Sequence, residues 1–287
     1  MEVVRYGDPA AFRRDGGSVL LADFARNNLV LGTLQVLVDE PEVYPVFRLW
    51  LAVRDGLPVG VAMQTEPYDV LLAEPLEGGV VEALAEAVVG DAGSLPGVTA
   101  NAPWVDRFAR RVATLTGVIP ERVLGEGVWV LGSVADVPSP GGAGRAAMPR
   151  DRDLLRRWIR AFEDEALPPG YPRDDARIDL EIDVRLAGRG GGYWLWEDGA
   201  PVSMSGHRAI PGVGSRIGPV YTPPEHRRRG YAARLVAELS SARLAAGDTA
   251  CFLFTDMANP TSNALYARIG YSKVCEAVEY AFRPGAA

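Results

Sequence analysis

A strand–turn–strand pattern occurs once in each half of the chain, and it limits the possible folds more than any other feature. Strand-like residues 47–63 are interrupted by Asp55-Gly56, and strand-like residues 193–205 are interrupted by Asp198-Gly199. Asp-Gly between apolar runs is a strong signal for a β-hairpin, because the turn needs positive φ at its centre. In both halves Pro-Val follows the turn after one residue. The proline therefore begins the second strand, where a missing backbone donor is tolerated.

Helix-like sequence precedes both hairpins, at 18–31 and at 151–165. The second of these segments places apolar residues at helical spacing along one face. The repeated order of helix and hairpin predicts an α+β fold, with a mostly antiparallel sheet flanked by helices, in two tandem domains. Two unrelated hairpins are the alternative interpretation.

The segment 134–144 is the clearest linker. It is rich in Pro and Gly, has no hydrophobic periodicity and lies near mid-chain. We therefore predict a first domain at 1–136, a linker at 137–144 and a second domain at 145–287.

Charge is distributed unevenly along the 287 residues. The chain has 30 Lys+Arg and 37 Asp+Glu, a net charge of −7, of which residues 1–144 carry −9 and residues 145–287 carry +2. General nucleic-acid binding needs a basic face, so a nucleic acid is not expected as a partner. An anionic small molecule bound by the second half is compatible with this distribution.

Scarce residue types exclude further classes of protein. Lys273 is the single lysine, which argues against Schiff-base chemistry. The two histidines and two cysteines lack the spacing of a four-ligand Cys/His zinc site, so we expect no metal, although composition does not exclude a carboxylate-based site. The sequence has no run of about 18 apolar residues, and its first residues lead us to expect no secretory signal. We expect a cytoplasmic chain without a membrane span, as a monomer or homodimer.

A basic, glycine-containing loop lies where a strand passes into a helix. Strand-like residues 215–222 precede Arg227-Arg228-Arg229-Gly230-Tyr231-Ala232, and a helix with one apolar face continues to about residue 246. The first turn of a helix presents unpaired N–H groups and the positive end of the helix dipole, which together attract anions. The loop therefore predicts a phosphate site. A solvated basic turn is the alternative for this motif taken alone.

A second block follows at a fixed distance. The buried-type strand 250–256 leads into a short helix that contains Asn259, Ser262 and Tyr266 and ends at Gly270, and a final strand covers 273–282. In order and spacing, R-x-x-G-x-A followed by N-x-x-S-x-x-L-Y-x-x-x-G-Y resembles the acetyl-CoA-binding core of the GNAT superfamily of N-acetyltransferases. The detailed resemblance covers the second half, whereas the first half is similar only in its hairpin and layout.

The resemblance implies acetyl-CoA as co-substrate. The end of the strand would pair with the pantetheine arm, the arginine loop would hold the pyrophosphate, and the short helix would face the cofactor. The cofactor-binding residues implied in this way are Val220, Tyr221, Thr222, Arg227, Arg228, Arg229, Gly230, Tyr231, Ala232, Asn259 and Ser262. The sequence departs from the common pattern at Arg228, where a glycine is frequent, and at Ala232, where a glycine often ends the motif.

Tyr266 matches the family's usual general acid. A phenol with a pKa of about 10 can return a proton to a thiolate whose conjugate acid has a pKa near 8.5. A packed aromatic on an amphipathic helix is the alternative. The general base is left open among His207, His226, Glu225, a carboxylate of 163–165 and a chain of waters. His207 is the preferred side chain, with a structural histidine as its alternative, because His226 lies beside the phosphate loop and is expected to position it.

The corresponding stretch of the first half, 74–80, keeps its glycines but has Glu74 and Glu77 in place of basic residues. These carboxylates would repel a pyrophosphate, and no block like that from Asn259 to Tyr271 follows. We predict that the first half is a degenerate copy that does not bind acetyl-CoA. We also expect it to pack on the second half and to help form the acceptor pocket.

The resemblance implies transfer of an acetyl group from acetyl-CoA to a primary amine of a small acceptor, by direct attack in a ternary complex. The acidic run 163–165 comes just before residues 168–171, where this family commonly shapes its acceptor site, and is compatible with a cationic acceptor. A solvated charged run is the alternative. One alternative is an acetyltransferase similar to mycothiol synthase. Another, from a different class, is an acyl-CoA-binding regulator without turnover.

Overall fold

The chain forms two compact units in the computed structural model. The residues described are 1–74, 76–91, 95–168 and 171–285, so Pro75, Pro169 and Gly170 of the segments discussed above lie outside them. Unit 1 consists of Met1–Val128 and Val274–Ala287, and unit 2 consists of Trp129–Lys273. Each unit has a mostly antiparallel sheet flanked by helices, which confirms the predicted fold class. The predicted domain limits divide the chain in sequence order and stay a prediction.

Besides most of strand β6 (Ile119–Leu131), unit 1 contains six strands in its described residues. They are β1 (Glu2–Tyr6), β2 (Phe47–Arg54), β3 (Leu57–Thr65), β4 (Val70–Ala73), β5 (Gly97–Asn101) and β12 (Ser272–Arg283). Its helices are α1 (Pro9–Asp15), α2 (Gly17–Ala22), α3 (Asn28–Asp39), α4 (Val80–Asp91) and α5 (Trp104–Thr116). The strand order is β1-β2-β3-β4-β5-β12, with β4 and β5 parallel and the other pairs antiparallel.

Unit 2 contains the second hairpin and both sequence blocks. Its strands are β7 (Ala143–Ala146), β8 (Gly191–Asp198), β9 (Ala200–Ile210), β10 (Gly214–Tyr221) and β11 (Ala250–Asp256), together with the end of β6 (Ile119–Leu131), which begins in unit 1. Its helices are α6 (Arg152–Ala166), α7 (Asp175–Leu186), α8 (Tyr231–Ala245) and α9 (Pro260–Ile269). The order β11-β10-β9-β8-β7 includes one parallel pair, β10 with β11.

Both predicted hairpins are present, as β2–β3 and β8–β9. Asp55 and Gly56 have φ of 53° and 78°, as a two-residue hairpin turn requires, and the second hairpin turns at Gly199 with φ of 73°. In each hairpin the register shifts next to the proline, Pro58 or Pro201. A residue without an N–H cannot complete the ladder, which explains an irregularity at the same place in both units.

The helix expected at 18–31 is interrupted. Helix α2 ends at Ala22 and α3 begins at Asn28. Between them the buried side chain of Asn27 donates from Nδ2 to the carbonyls of Val19 and Leu20, at 3.3 and 3.2 Å. Apolar spacing alone predicted one helix, and an asparagine that bonds to the preceding turn divides it into two.

Three carboxylates of unit 1 lie close together. Thr99 donates from Oγ1 to Asp69 Oδ2 at 3.1 Å, and Thr99 is paired with Glu279 across the β5–β12 ladder. Burial, with Asp69 and Glu126 nearby, raises the pKa of Glu279 to about 7. Burial likewise raises the pKa of Asp69 to about 6, despite the hydrogen bond from Thr99. Unit 1 therefore contains carboxyls that hold protons more tightly when folded than when unfolded.

We expect Glu279→Gln to raise the free energy of unfolding above pH 7 by about 1–2 kcal/mol. The folded pKa of Glu279 exceeds its ordinary value of 4.5. Its stabilising contribution is therefore fully present below that value and is lost as the pH rises through about 7. Urea unfolding at about pH 5 and about pH 8 would measure the difference between the variant and the wild type.

The matched control is Glu276→Gln, on the same strand, where Glu276 Oε1 accepts from Arg122 at 2.6 Å on the surface. Exposed pairs contribute about 0–1 kcal/mol, so this variant should keep the wild-type pH dependence. If Glu279→Gln and the wild type lost stability in parallel between the two pH values, the account of this cluster would be wrong.

Candidate active site

Strands β10 and β11 of unit 2 run together only at their beginnings. Within the described residues, their ladder pairs Gly214–Arg216 with Ala250–Phe252 and extends no further. Beyond it, β10 shifts register against β9 between Ile217 and Val220. A bulge bends a strand and increases its twist, so the ends of β10 and β11 separate. We call the space between these strand ends the wedge. The backbone groups of β10 that face it have no ladder partner on β11 and can pair with an extended ligand.

The predicted strand residues lie at this separated end of β10. Val220 is half-buried and Tyr221 is buried. Ser203 on β9 donates from Oγ to the carbonyl of Tyr221 at 3.1 Å, and its Oγ lies 2.9 Å from Thr222 Oγ1. These bonds hold the strand end on the β9 side, and the opposite side faces the wedge.

The arginine loop turns directly from the strand end into α8. Arg228 and Gly230 have φ of 62° and 86°, and helix α8 begins at Tyr231. The left-handed backbone at Arg228 explains why a glycine is frequent at this position in the related motif; a non-glycine residue there costs about 1–2 kcal/mol. Within the described part of the chain, no backbone N–H from Arg228 to Ala233 donates to a backbone carbonyl. Successive free N–H groups of this kind form a concave anion site.

The three arginine side chains have different roles. Arg227 Nε donates to the carbonyl of Thr222 at 2.8 Å, and its Nη2 lies 2.8 and 2.7 Å from the two carboxylate oxygens of Glu165. Arg229 Nη2 donates to the carbonyl of Glu225 at 3.2 Å. The exposed side chain of Arg228 has no partner among the described residues. Arg227 therefore fixes the loop to the strand end and to α6, whereas Arg228 is available to an anion.

A hydrogen bond from Tyr231 fixes the start of α8 to the β8–β9 hairpin. The buried Tyr231 donates its hydroxyl to Asp198 Oδ2 at 2.5 Å, at the turn of the β8–β9 hairpin. Ala232, half-buried, follows in the first turn. Because Tyr231 faces the sheet and Ala232 is small, the helix N-terminus stays open for a ligand.

Helix α9 contains the other predicted cofactor residues. Asn259 Oδ1 accepts from the backbone N–H of Ser262 at 3.1 Å, so Asn259 is the N-cap of this helix. Ser262 is half-buried in the first turn. Contact of these two residues with acetyl-CoA stays a prediction.

Tyr266 belongs to a buried cluster that also contains Ile217 of β10 and Leu253 of β11, the two strands that border the wedge. Its ring packs edge-on against Tyr271 with centroids 6.0 Å apart. Burial raises the pKa of Tyr266 well above its ordinary value of 10. Its hydroxyl has no hydrogen-bond partner among the described residues. The side chain therefore remains a protonated phenol at neutral pH with a hydroxyl free to interact with a substrate.

Two of the predicted candidates for the general base, His207 and Glu163, have pKa values shifted in opposite directions. Burial and the nearby cations Arg243 and Arg185 lower the pKa of His207 to about 4, too low for an efficient base at neutral pH. His207 is paired with Ile217 across the β9–β10 ladder, so both side chains lie on the same face of the sheet. Ile217 packs against α8, and His207 therefore also lies on the α8 side. Burial raises the pKa of Glu163, whose Oε1 lies 3.5 Å from Arg177. Glu163 therefore has the more suitable pKa.

A buried charged cluster on α7 escaped the sequence analysis. Glu181 contacts Arg177, Arg185 at 3.3 Å and Arg208 at 3.9 Å. Burial acts to raise the pKa of Glu181, but the arginines outweigh it and the pKa is lowered. The guanidinium of Arg185 lies 5.1 Å from the ring centre of Tyr193. The signal in the sequence was the i, i+4 spacing of Arg177, Glu181 and Arg185 along one helix face.

The matching segment of unit 1 is occupied by its own side chains. Asn27 Oδ1 accepts from the backbone N–H of Glu74 at 2.7 Å, and Asn27 Nδ2 donates to the Glu74 carbonyl. At the start of α4, Glu82 Oε2 accepts from the N–H of Gly79 at 2.6 Å. The groups that would receive a pantetheine amide and a phosphate in unit 2 are thus already paired in unit 1. These contacts support the prediction that unit 1 does not bind acetyl-CoA, which stays a prediction.

The described residues contain neither a candidate metal site nor a helix that could span a membrane. Among the described residues, no group of three or more His, Cys, Asp or Glu side chains is arranged to hold a metal ion. No helix in the described ranges has the length and apolar character needed to cross a membrane.

Comparisons with known proteins agree with this geometry. Residues 198–280 match the family model of FR47-like proteins. A comparison with curated proteins gave no match.

Solved structures resemble the chain over its whole length. A Drosophila protein is 12% identical with a TM-score of 0.69, and 99% of each chain is covered. A tandem GNAT protein from the clavulanic acid biosynthesis pathway is 14% identical with a TM-score of 0.60, covering 100% of this chain and 99% of its own. A GCN5-related N-acetyltransferase from Sphaerobacter thermophilus is 20% identical with a TM-score of 0.59, covering 99% and 97%. The chain therefore has the fold of the GNAT acetyltransferases along its full length, and residues 198–280 match the FR47-like family model.

Proposed function

We propose that this protein is an N-acetyltransferase that binds acetyl-CoA in unit 2 and acetylates a primary amine of a small-molecule acceptor. The observation that carries the proposal is the continuous set of free N–H groups from Arg228 to Ala233, which adjoins the open end of β10. Free N–H groups at a helix start suit a pyrophosphate, and an unpaired strand end suits the amides of a pantetheine arm. Both parts of one cofactor are thus accommodated in adjacent segments.

The reaction is a direct transfer in a ternary complex. The neutral amine attacks the thioester carbonyl, a C–N bond forms, and the C–S bond to CoA breaks. The N–H groups at the wedge stabilise the negative charge that develops on the carbonyl oxygen. Tyr266 donates its proton to the departing thiolate, and a base removes the proton that the amine loses. Free CoA and the N-acetylated acceptor are the products.

Glu163 is our proposed base, acting directly or through water. Its raised pKa brings it closer to the working pH than an ordinary glutamate. All three carboxylates of the predicted run have an arginine partner, and the partner of Glu163 is the most distant, with Arg177 at 3.5 Å. Asp164 lies 2.5 Å from Arg173 and Glu165 lies 2.7 Å from Arg227. An anion at this end of α6 would also attract a cationic acceptor, in agreement with the expectation from the sequence.

A thiol-release assay with acetyl-CoA and a panel of amines tests the proposal. Turnover with a small primary amine supports it. Turnover confined to a cysteinyl amine would instead indicate the activity similar to mycothiol synthase. Tight acetyl-CoA binding without thiol release from any amine would favour the regulator and overturn the enzymatic proposal.

A further inference from the structure

A buried chain of hydrogen bonds joins α9 to the end of β11. Trp129 Nε1 donates to Thr255 Oγ1 at 2.8 Å, and Thr255 Oγ1 donates to Asn263 Oδ1 at 2.6 Å. An indole N–H can only donate a hydrogen bond. The Thr255 hydroxyl therefore accepts a hydrogen bond from Trp129 and donates one to Asn263. Thr255 is 5% exposed and Trp129 is 8% exposed. Water therefore has little access to replace these bonds.

Asn263 completes the connection at the start of the helix. Its Nδ2 donates to the carbonyls of Asp256 and Met257, each at 3.4 Å, in the turn between β11 and α9. The first turn of α9 is thereby fixed to the strand by a side chain whose oxygen and nitrogen are both used.

Tyr266 lies three residues after Asn263, on the same helix face. Because its hydroxyl has no hydrogen bond among the described residues, no direct bond holds it in place. Its position is set by the placement of α9 and by packing against Tyr271. On the N-terminal side of Tyr266, the bond between Thr255 and Asn263 connects α9 to β11.

We propose that Thr255 and Asn263 are positioning residues for proton transfer, which hold α9 so that the Tyr266 hydroxyl reaches the wedge between β10 and β11. This inference rests on the proposed function, because it concerns the acid that protonates the CoA thiolate. A displacement of about 1 Å at a reacting group can lower a rate about 10²-fold. Loss of the anchor should therefore affect the chemical step more than acetyl-CoA binding.

The test compares Thr255→Val with Thr255→Ser. Valine keeps the branched shape and removes both hydrogen bonds, whereas serine keeps the hydroxyl. We expect Thr255→Val to lower kcat about 10- to 100-fold with the acetyl-CoA dissociation constant changed less than about 3-fold. Thr255→Ser should retain most of the turnover. In a Tyr266→Phe background, Thr255→Val should cause little further loss, because the acid that it positions is absent.

The possible results discriminate between the proposals. If Tyr266→Phe turns over normally, the acid assignment fails, and this inference fails with it. If Tyr266→Phe loses turnover but Thr255→Val does not, only the positioning role is overturned. An equal loss from Thr255→Val in both backgrounds would also overturn it, because the threonine would then act independently of Tyr266.

A replacement variant is available if Thr255→Val does not fold, and a hydrogen-exchange measurement tests the anchoring role if no amine is turned over. Asn263→Leu removes the acceptor of the Thr255 hydroxyl and keeps a side chain of similar shape, so it replaces Thr255→Val if that variant does not fold, with a similar expected loss. Hydrogen exchange of the backbone amides of residues 261–269 can be measured without turnover. We expect faster exchange in Thr255→Val, or in Asn263→Leu if it replaces that variant, and wild-type exchange in Thr255→Ser. Unchanged protection in the variant that loses the bond would overturn the anchoring role.

Discussion

Replacing Tyr266 by phenylalanine is expected to lower kcat about 100-fold or more and to leave the acetyl-CoA dissociation constant unchanged within about 2-fold. The substitution removes one hydroxyl from a buried ring that packs edge-on against Tyr271, so the helix and its packing are retained. The loss falls on kcat because the proton is needed only when the thiolate departs. Steady-state kinetics with the best amine, combined with calorimetric titration of acetyl-CoA, measure the two quantities separately.

Tyr271→Phe is the matched control. Tyr271 is buried in the same cluster, and its hydroxyl lies 2.8 Å from Ser240 Oγ. Its loss should cost about 1 kcal/mol of stability and leave kcat nearly unchanged. If the two variants lost turnover equally, the effect would be one of packing, and Tyr266 would have no role as the acid.

Replacing Gly230 by aspartate is expected to weaken acetyl-CoA binding at least about 100-fold, or about 2.7 kcal/mol. Gly230 precedes α8 and lies within the set of free N–H groups. A carboxylate placed there would compete for those donors and repel the pyrophosphate. Two like charges about 5 Å apart at an effective dielectric constant of about 20 repel each other by about 3 kcal/mol.

Gly247→Asp at the other end of the same helix separates charge from strain. Gly247 also has a positive φ of 102°, and a Cβ added there would meet nothing within 4 Å. Both variants therefore carry a similar backbone penalty of about 1 kcal/mol. Only the variant at the N-terminus should lose acetyl-CoA affinity, and equal affinities for the two would contradict the assignment of the phosphate site.

The sequence was sufficient to predict the local parts of the site. The Asp-Gly hairpins, the loop from Arg227 to Ala232 and the short helix α9 that ends at Gly270 are each encoded within a few residues. The N-cap role of Asn259 was not predicted. Turn, cap and loop geometry depends on neighbours in the chain, which a pattern can contain. The left-handed backbone at Arg228, with φ of 62°, was not predicted, because a residue other than glycine rarely adopts this conformation.

Contacts between distant parts of the chain could not be predicted in this way. Trp129 and Thr255 are 126 positions apart, and Asn27 meets Glu74 across 47 positions. Nothing in the neighbourhood of either residue specifies its partner, because the partner is set by how strands and helices pack.

The last strand shows the same limit. The alternation of 273–282 predicted a strand but not its neighbour, and β12 pairs with β5 of unit 1, with Ala277 opposite Asn101. Side-chain pattern reports which face of a strand is buried, whereas the pairing partner depends on the whole sheet.

The central claim is that acetyl-CoA binds to unit 2 alone, through the loop at the start of α8. Isothermal titration of the full chain with acetyl-CoA tests it most directly. We predict one molecule bound per wild-type chain, the same for Gly247→Asp, and no detectable binding at the same concentrations for Gly230→Asp. Two molecules per wild-type chain, or one that remains bound to Gly230→Asp with wild-type affinity, would contradict it.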